Sequence, residues 1–94
     1  MRLKSQSQPA AQSDIALRFM RFLAADLERL EALMAHTGLG QQDFATRAED
    51  PQFQAFLLDY GLENESLLLE FASNEALPPE AILRARRSLP GAAY

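Results

Sequence analysis

The chain contains no valine, and its other β-branched residues are two isoleucines and two threonines. Strands draw on β-branched side chains because these pack well on a pleated surface. No stretch alternates apolar and polar residues as a half-buried strand does. Together these absences leave an all-α fold. Its 94 residues make one domain at most, and 48% of them are hydrophobic, as in a globular chain. A modest core follows, close to marginal stability.

The stretch from Asp50 to Ala72 carries the densest apolar supply, and the sequence reads as organised around it. Asp50 can accept a hydrogen bond from a free N–H of a first turn, and Pro51 at the first helical position has no intrahelical bond to lose. Phe53, Phe56, Leu57 and Tyr60 then share one helical stripe, with Gln52, Gln54 and Asp59 facing elsewhere. Gly61 weakens the helix, and Asn64 can cap a new one beside Glu65. Leu67, Leu68, Phe71 and Ala72 form a second stripe, with Leu69 at its edge. One kinked helix or two successive helices satisfy this pattern equally.

The rest of the chain supplies flanking helices. Residues 1–12 hold almost no large apolar side chains and read as a flexible tail; 13–90 read as the domain, and 91–94 as a loose end. Ser13 is a cap for a helix with Ile15, Phe19, Phe22 and Leu23 in one stripe and Met20 beside it, and Arg18 and Arg21 outside. Asp26 caps a second helix with Leu27, Leu30, Leu33 and Met34, which Gly38 ends in a left-handed turn. A short helix from about Gln41 to Ala48 is anchored by Phe44. Pro79 opens a last helix with Ile82, Leu83 and Leu89 as anchors and Arg84, Arg86 and Arg87 in its last turns, where cations complement the helix dipole. The expected architecture is a compact array of roughly five to six short helices with oblique crossings.

Composition narrows the function. Without cysteine there is no disulfide, no thiolate chemistry and no cysteine-based metal site. Net charge is −4 with a single lysine, which opposes binding to a phosphate backbone. No apolar run approaches the ~18 residues of a membrane span. The start M-R-L-K-S-Q-S-Q-P lacks the apolar core of a signal peptide, so cytoplasmic residence is the expectation.

Few residues invite chemistry. His36 is the sole histidine, near a helix C-terminus, without the patterned co-ligands a metal site needs. Asp59, Glu63, Glu65 and Glu70 cluster around the central joint; close carboxylates can act as acid and base, or form a hydrated face. Glu65 is either an exposed first-turn carboxylate or the partner of Arg84 or Arg87. Arg18, Arg21, Arg84, Arg86 and Arg87 make one basic patch if the first and last helices are neighbours, or else serve as dipole partners and scattered ion pairs. Gly38 and Gly40 bracket a leucine as a helix-to-helix turn, with no strand or third glycine to make a nucleotide cradle. Nucleophile–base patterning is absent. No enzyme, cofactor or metal is expected.

Five phrases resemble a family of small uncharacterised alphaproteobacterial proteins, a domain of unknown function. They are F-L-A-A-D at 22–26, H-T-G-L at 36–39, D-P-Q-F at 50–53, N-E-S-L-L-L-E-F-A at 64–72 and P-P-E-A-I-L-R-A-R-R-S-L-P-G at 78–91. The resemblance covers nearly the whole chain beyond the tail and implies a small helical domain without an established activity. The sequence departs from it at Leu27, where proline is expected after Asp26, and near Phe44, where a Leu-Arg pair is expected. Both departures fall at helix starts or core anchors.

The apolar stripes contribute roughly twenty large side chains, each worth about 1.5–3 kcal/mol if fully buried. Six short helices in so small a domain cannot hide them all. The leading expectation is therefore a non-enzymatic interaction module that offers an apolar surface to an unknown protein partner or to a second copy of itself. The alternative is a nucleic-acid-associated regulator that uses the arginines.

Overall fold

A computed structural model describes residues 12–91, and among these it contains six α-helices and no strand. They are α1 (Gln12–Ala24), α2 (Leu27–Thr37), α3 (Gln41–Arg47), α4 (Pro51–Leu62), α5 (Glu65–Asn74) and α6 (Pro79–Arg87). The expected tail and loose C-terminus fall mainly on residues 1–11 and 92–94, outside the described set. None of the described helices is long and apolar enough to cross a membrane.

Local chemistry sets most boundaries. Asp26 accepts a hydrogen bond from the Glu28 N–H at 2.9 Å, and Asp50 one from the Gln52 N–H at 3.1 Å, each satisfying a first-turn donor. Gly38 ends α2 at φ 81°, its N–H bonded to the Met34 carbonyl. Pro51 and Pro79 open α4 and α6. Two caps differ from expectation. Helix α1 already includes Gln12, so Ser13 lies inside it. Asn64 occupies the position before α5, but its Nδ2 donates back to the Tyr60 carbonyl at 2.7 Å. It therefore satisfies an orphan acceptor at the end of α4 and no donor of α5.

The centre of the fold is the pair α1 and α4, the most extensive of the interhelical contacts; α6 packs on both, and α5 on α4 and α6. Phe19, Phe53, Phe71, Leu23, Leu33, Leu57, Leu58 and Ile82 are fully buried there. Phe71 of α5 lies edge-on to Phe19, with centroids 5.0 Å apart, and 5.3 Å from Phe22. Such pairs add about 0.5–1.5 kcal/mol each beyond area burial. The Asp50–Ala72 stretch is two helices, and α1 shares the central place with it.

The stripe on α4 is rotated from the expected one. Phe53, Gln54, Ala55, Leu57, Leu58 and Gly61 are buried, whereas Phe56 is 45% exposed. At about 100° per residue, Phe56 falls on the far side of the helix from Gln54 and Gly61, the middle of the buried arc. That arc is wide because α4 packs against three helices, α1, α5 and α6. Gln54 is tolerated inside because its Nε2 donates to the Ala48 carbonyl at 2.9 Å, tying α4 to the end of α3. Ala81 and Ala85, with Ile82, carry the buried face of α6; Leu83 and Leu89 are only partly covered.

A groove and an arginine cleft along the first helix

Two adjacent stripes of α1 line two adjoining concavities. Leu17, Met20, Arg21 and Ala24 fall at i, i+3, i+4 and i+7, so they share one face of the helix. With Phe44 and Ala48 across from them they line an open groove of about 230 Å³. Arg21 is its sole charged lining residue. Phe44 is half-buried and fixed from behind by Phe53, edge-on at 5.8 Å. The expected anchor of α3 thus packs on α4 with one side of its ring and borders the groove with another.

The neighbouring stripe, Arg18, Arg21, Phe22 and Ala25, joins Arg29, Asn74 and Glu75 around a cleft of about 440 Å³. Two of its three guanidinium groups are held in place. Arg18 Nε donates to Glu75 Oε1 at 2.9 Å. Arg29 lies 3.9 Å above the Phe22 ring centroid, and its Nη2 donates to Glu70 Oε2 at 2.8 Å. A cation over an aromatic face contributes about 0.5–1 kcal/mol at such a site. Arg21 differs: it is exposed, borders both concavities, and belongs to none of the ion pairs among the described residues.

The five arginines weighed as one patch or as dipole partners and scattered ion pairs are divided. Helices α1 and α6 are neighbours, but α6 turns its alanine and isoleucine face inward. Arg18 and Arg21 share the cleft; Arg84 and Arg87 are exposed on α6 and do not line it. Arg86 is 4% exposed and forms a bidentate pair with Asp59 of α4, Nε to Oδ1 at 2.6 Å and Nη2 to Oδ2 at 3.1 Å. Its Nη1 donates to the Pro90 carbonyl at 2.9 Å and the Leu89 carbonyl at 3.4 Å. Of the two readings of Glu65, the exposed first-turn carboxylate is the one the structure describes, and the ion pair of the last helix is made by Arg86. Arg86 sits beside Ala85 on the inward face of α6, opposite α4; Glu65 is exposed in the first turn of α5 and joins no ion pair among the described residues.

The acidic group is divided as well. Asp59 is engaged by Arg86, Glu70 by Arg29, and Glu63 is exposed. Asp59 and Glu63 border a concavity of about 220 Å³ with His36, Thr37, Phe56 and Tyr60. The His36 ring lies 5.6 Å from that of Tyr60. No group of three or more histidine or carboxylate residues among the described residues could hold a metal ion.

Sequence reasoning missed Arg29 and the groove. The spacing of Leu17, Met20, Arg21 and Ala24 was the available signal, since it marks a second face on α1 beside the core stripe. Neither a curated protein nor a solved structure matches the chain. The family model described as "Protein of unknown function (DUF3572)" matches residues 9–92. That span takes in every described helix and both concavities, and the chain belongs to this family.

Proposed function

We propose that the protein is a non-enzymatic interaction module of the bacterial cytoplasm, and that the groove between α1 and α3 is where a protein partner docks. One observation carries this reading: an open groove lined by Leu17, Met20, Ala24, Phe44 and Ala48, with Arg21, which joins no ion pair among the described residues, at its border. An apolar groove that receives the apolar face of a partner segment is a recurring mode of protein recognition. The absence of cysteine fits a reducing compartment.

A protein partner is favoured over nucleic acid because Arg86 and Arg18 are committed to carboxylates, which leaves fewer cations for a phosphate backbone. The test is affinity capture from the native cell with the wild type and Ala24→Arg side by side. Ala24 is exposed at the end of α1, where an arginine complements the dipole, so the fold is retained while the groove is obstructed. The expected result is a partner retained by the wild type and lost by the variant at unchanged thermal stability. Equal capture by both proteins removes the groove from consideration.

A further inference from the structure

We infer that the groove and the arginine cleft receive one ligand, an acidic amphipathic helix of a partner protein. Its apolar side chains lie against Leu17, Ala24 and Phe44, and a carboxylate sits on Arg21. This rests on the groove being a docking surface and adds the chemistry of what docks.

Charge supplies the first argument. The two concavities are lined by Arg18, Arg21 and Arg29 and by a single carboxylate, Glu75. Glu75 is engaged by Arg18 at 2.9 Å and by the Asn74 amide at 3.2 Å. Glu75 offsets Arg18, and Glu70 and Asp26 offset Arg29, so Arg21 is the charge that selects a partner of opposite sign. Arg18 and Arg29 are held by their own contacts, which leaves Arg21 as the guanidinium open to an incoming carboxylate. Its place beside an apolar wall strengthens that contact, because docking of apolar side chains excludes water from it.

Spacing supplies the second. Leu17 to Ala24 spans about two helical turns, roughly 10 Å, which is the reach of anchors at i, i+3 or i+4, and i+7 on a docked helix. Other occupants fit less well. Residues 1–11 contain Arg2 and Lys4 and no acidic residue, so the chain's own N-terminal segment has the wrong sign. A nucleic-acid backbone could meet the arginines, but it has nothing to place against Leu17, Ala24 and Phe44.

The test is selection of a displayed library of random peptides, each long enough for about four helical turns, on the full chain. Enriched peptides are expected to be acidic, with apolar residues at helical spacing. They should bind the wild type about tenfold or more tightly than they bind Arg21→Glu, and weaken alike when their carboxylates become amides. Neutral or basic winners, or equal binding to Arg21→Glu, overturn the acidic preference and leave the docking surface standing. Failure to enrich any peptide, or equal binding to Ala24→Gln, which obstructs the groove without adding a cation, overturns the docking surface and this inference with it. Two further arms use the same protein. A mixed-sequence DNA duplex that displaces the peptide replaces the protein partner with nucleic acid. Self-association in sedimentation that Ala24→Arg abolishes makes a second copy the occupant.

Discussion

Gly61 of α4 passes so close to Phe19 of α1 that a Cβ placed on it would lie 2.7 Å from the ring's Cζ. The two central helices meet at this point, and the missing side chain sets their separation. Gly61→Ala should therefore lower stability by about 1–2 kcal/mol through overpacking, although alanine in a helix interior is favoured over glycine by about 1 kcal/mol. Phe19→Leu in the same chain frees the space, so the double variant should be more stable than the sum of the single changes allows. Denaturant titration of the four proteins measures this. Simple additivity would show that the ring and the glycine are not coupled.

The pair of Asp59 and Arg86 joins α4 to the end of α6, and Arg86 also gathers the Leu89 and Pro90 carbonyls. Lysine cannot reproduce a bidentate fork and two carbonyl bonds at once. Arg86→Lys should therefore destabilise by about 2–3 kcal/mol, the range for losing hydrogen bonds to a charged group. Asp59→Asn should fall in the same direction, because it leaves a buried guanidinium without its counter-charge. Glu65→Gln should leave the melting temperature unchanged, since Glu65 is exposed and joins no ion pair among the described residues. Thermal melting of the three variants separates the observed clip from the pairing that sequence alone suggested.

The legibility of the sequence had a physical limit. Helix ends were readable because their determinants are local: Asp26 and Asp50 bond donors two residues away, and Gly38 adopts its own left-handed conformation. Which face each helix buries was readable on α1 and α5, where the apolar stripe is narrow. It was misread on α4, which packs against three helices and buries Gln54 while leaving Phe56 out. The choice of Arg86 over Arg84 and Arg87 depends on the rotation of α6 against α4, a tertiary quantity that spacing along one helix does not contain. The groove was visible only as a second face of α1, because Phe44 and Ala48 come from a helix whose docking no local signal reports.

Phe53 and Phe56 stand on one helix with opposite surroundings, Phe53 1% exposed and Phe56 45%. Phe53→Ala should cost about 3–5 kcal/mol, the loss of a buried ring and the cavity it leaves. Phe56→Gln should stay within about 0.5 kcal/mol of the wild type, as surface changes do. The comparison is made by denaturant unfolding at matched slopes. A large loss at Phe56 would mean that this ring is covered in solution and that the rotation of α4 is wrong.

Ala76 adopts φ 56°, the one non-glycine residue with positive φ among the described residues. It follows α5 in a Schellman turn: the Leu77 N–H bonds the Ala72 carbonyl at 2.8 Å, and the Ala76 N–H the Ser73 carbonyl at 3.3 Å. An L-residue in that region carries roughly 1–2 kcal/mol of strain from its Cβ. Glycine removes the strain but loses about 0.5–1 kcal/mol more backbone entropy on folding. The difference predicts that Ala76→Gly raises stability by about 0.5–1 kcal/mol, with an unchanged denaturant slope. The same substitution at Ala45, an exposed position inside α3, should lower stability by about 1 kcal/mol. Opposite signs for one chemical change would tie the effect to backbone conformation; equal losses at both sites would mean that the turn after α5 is not left-handed at Ala76.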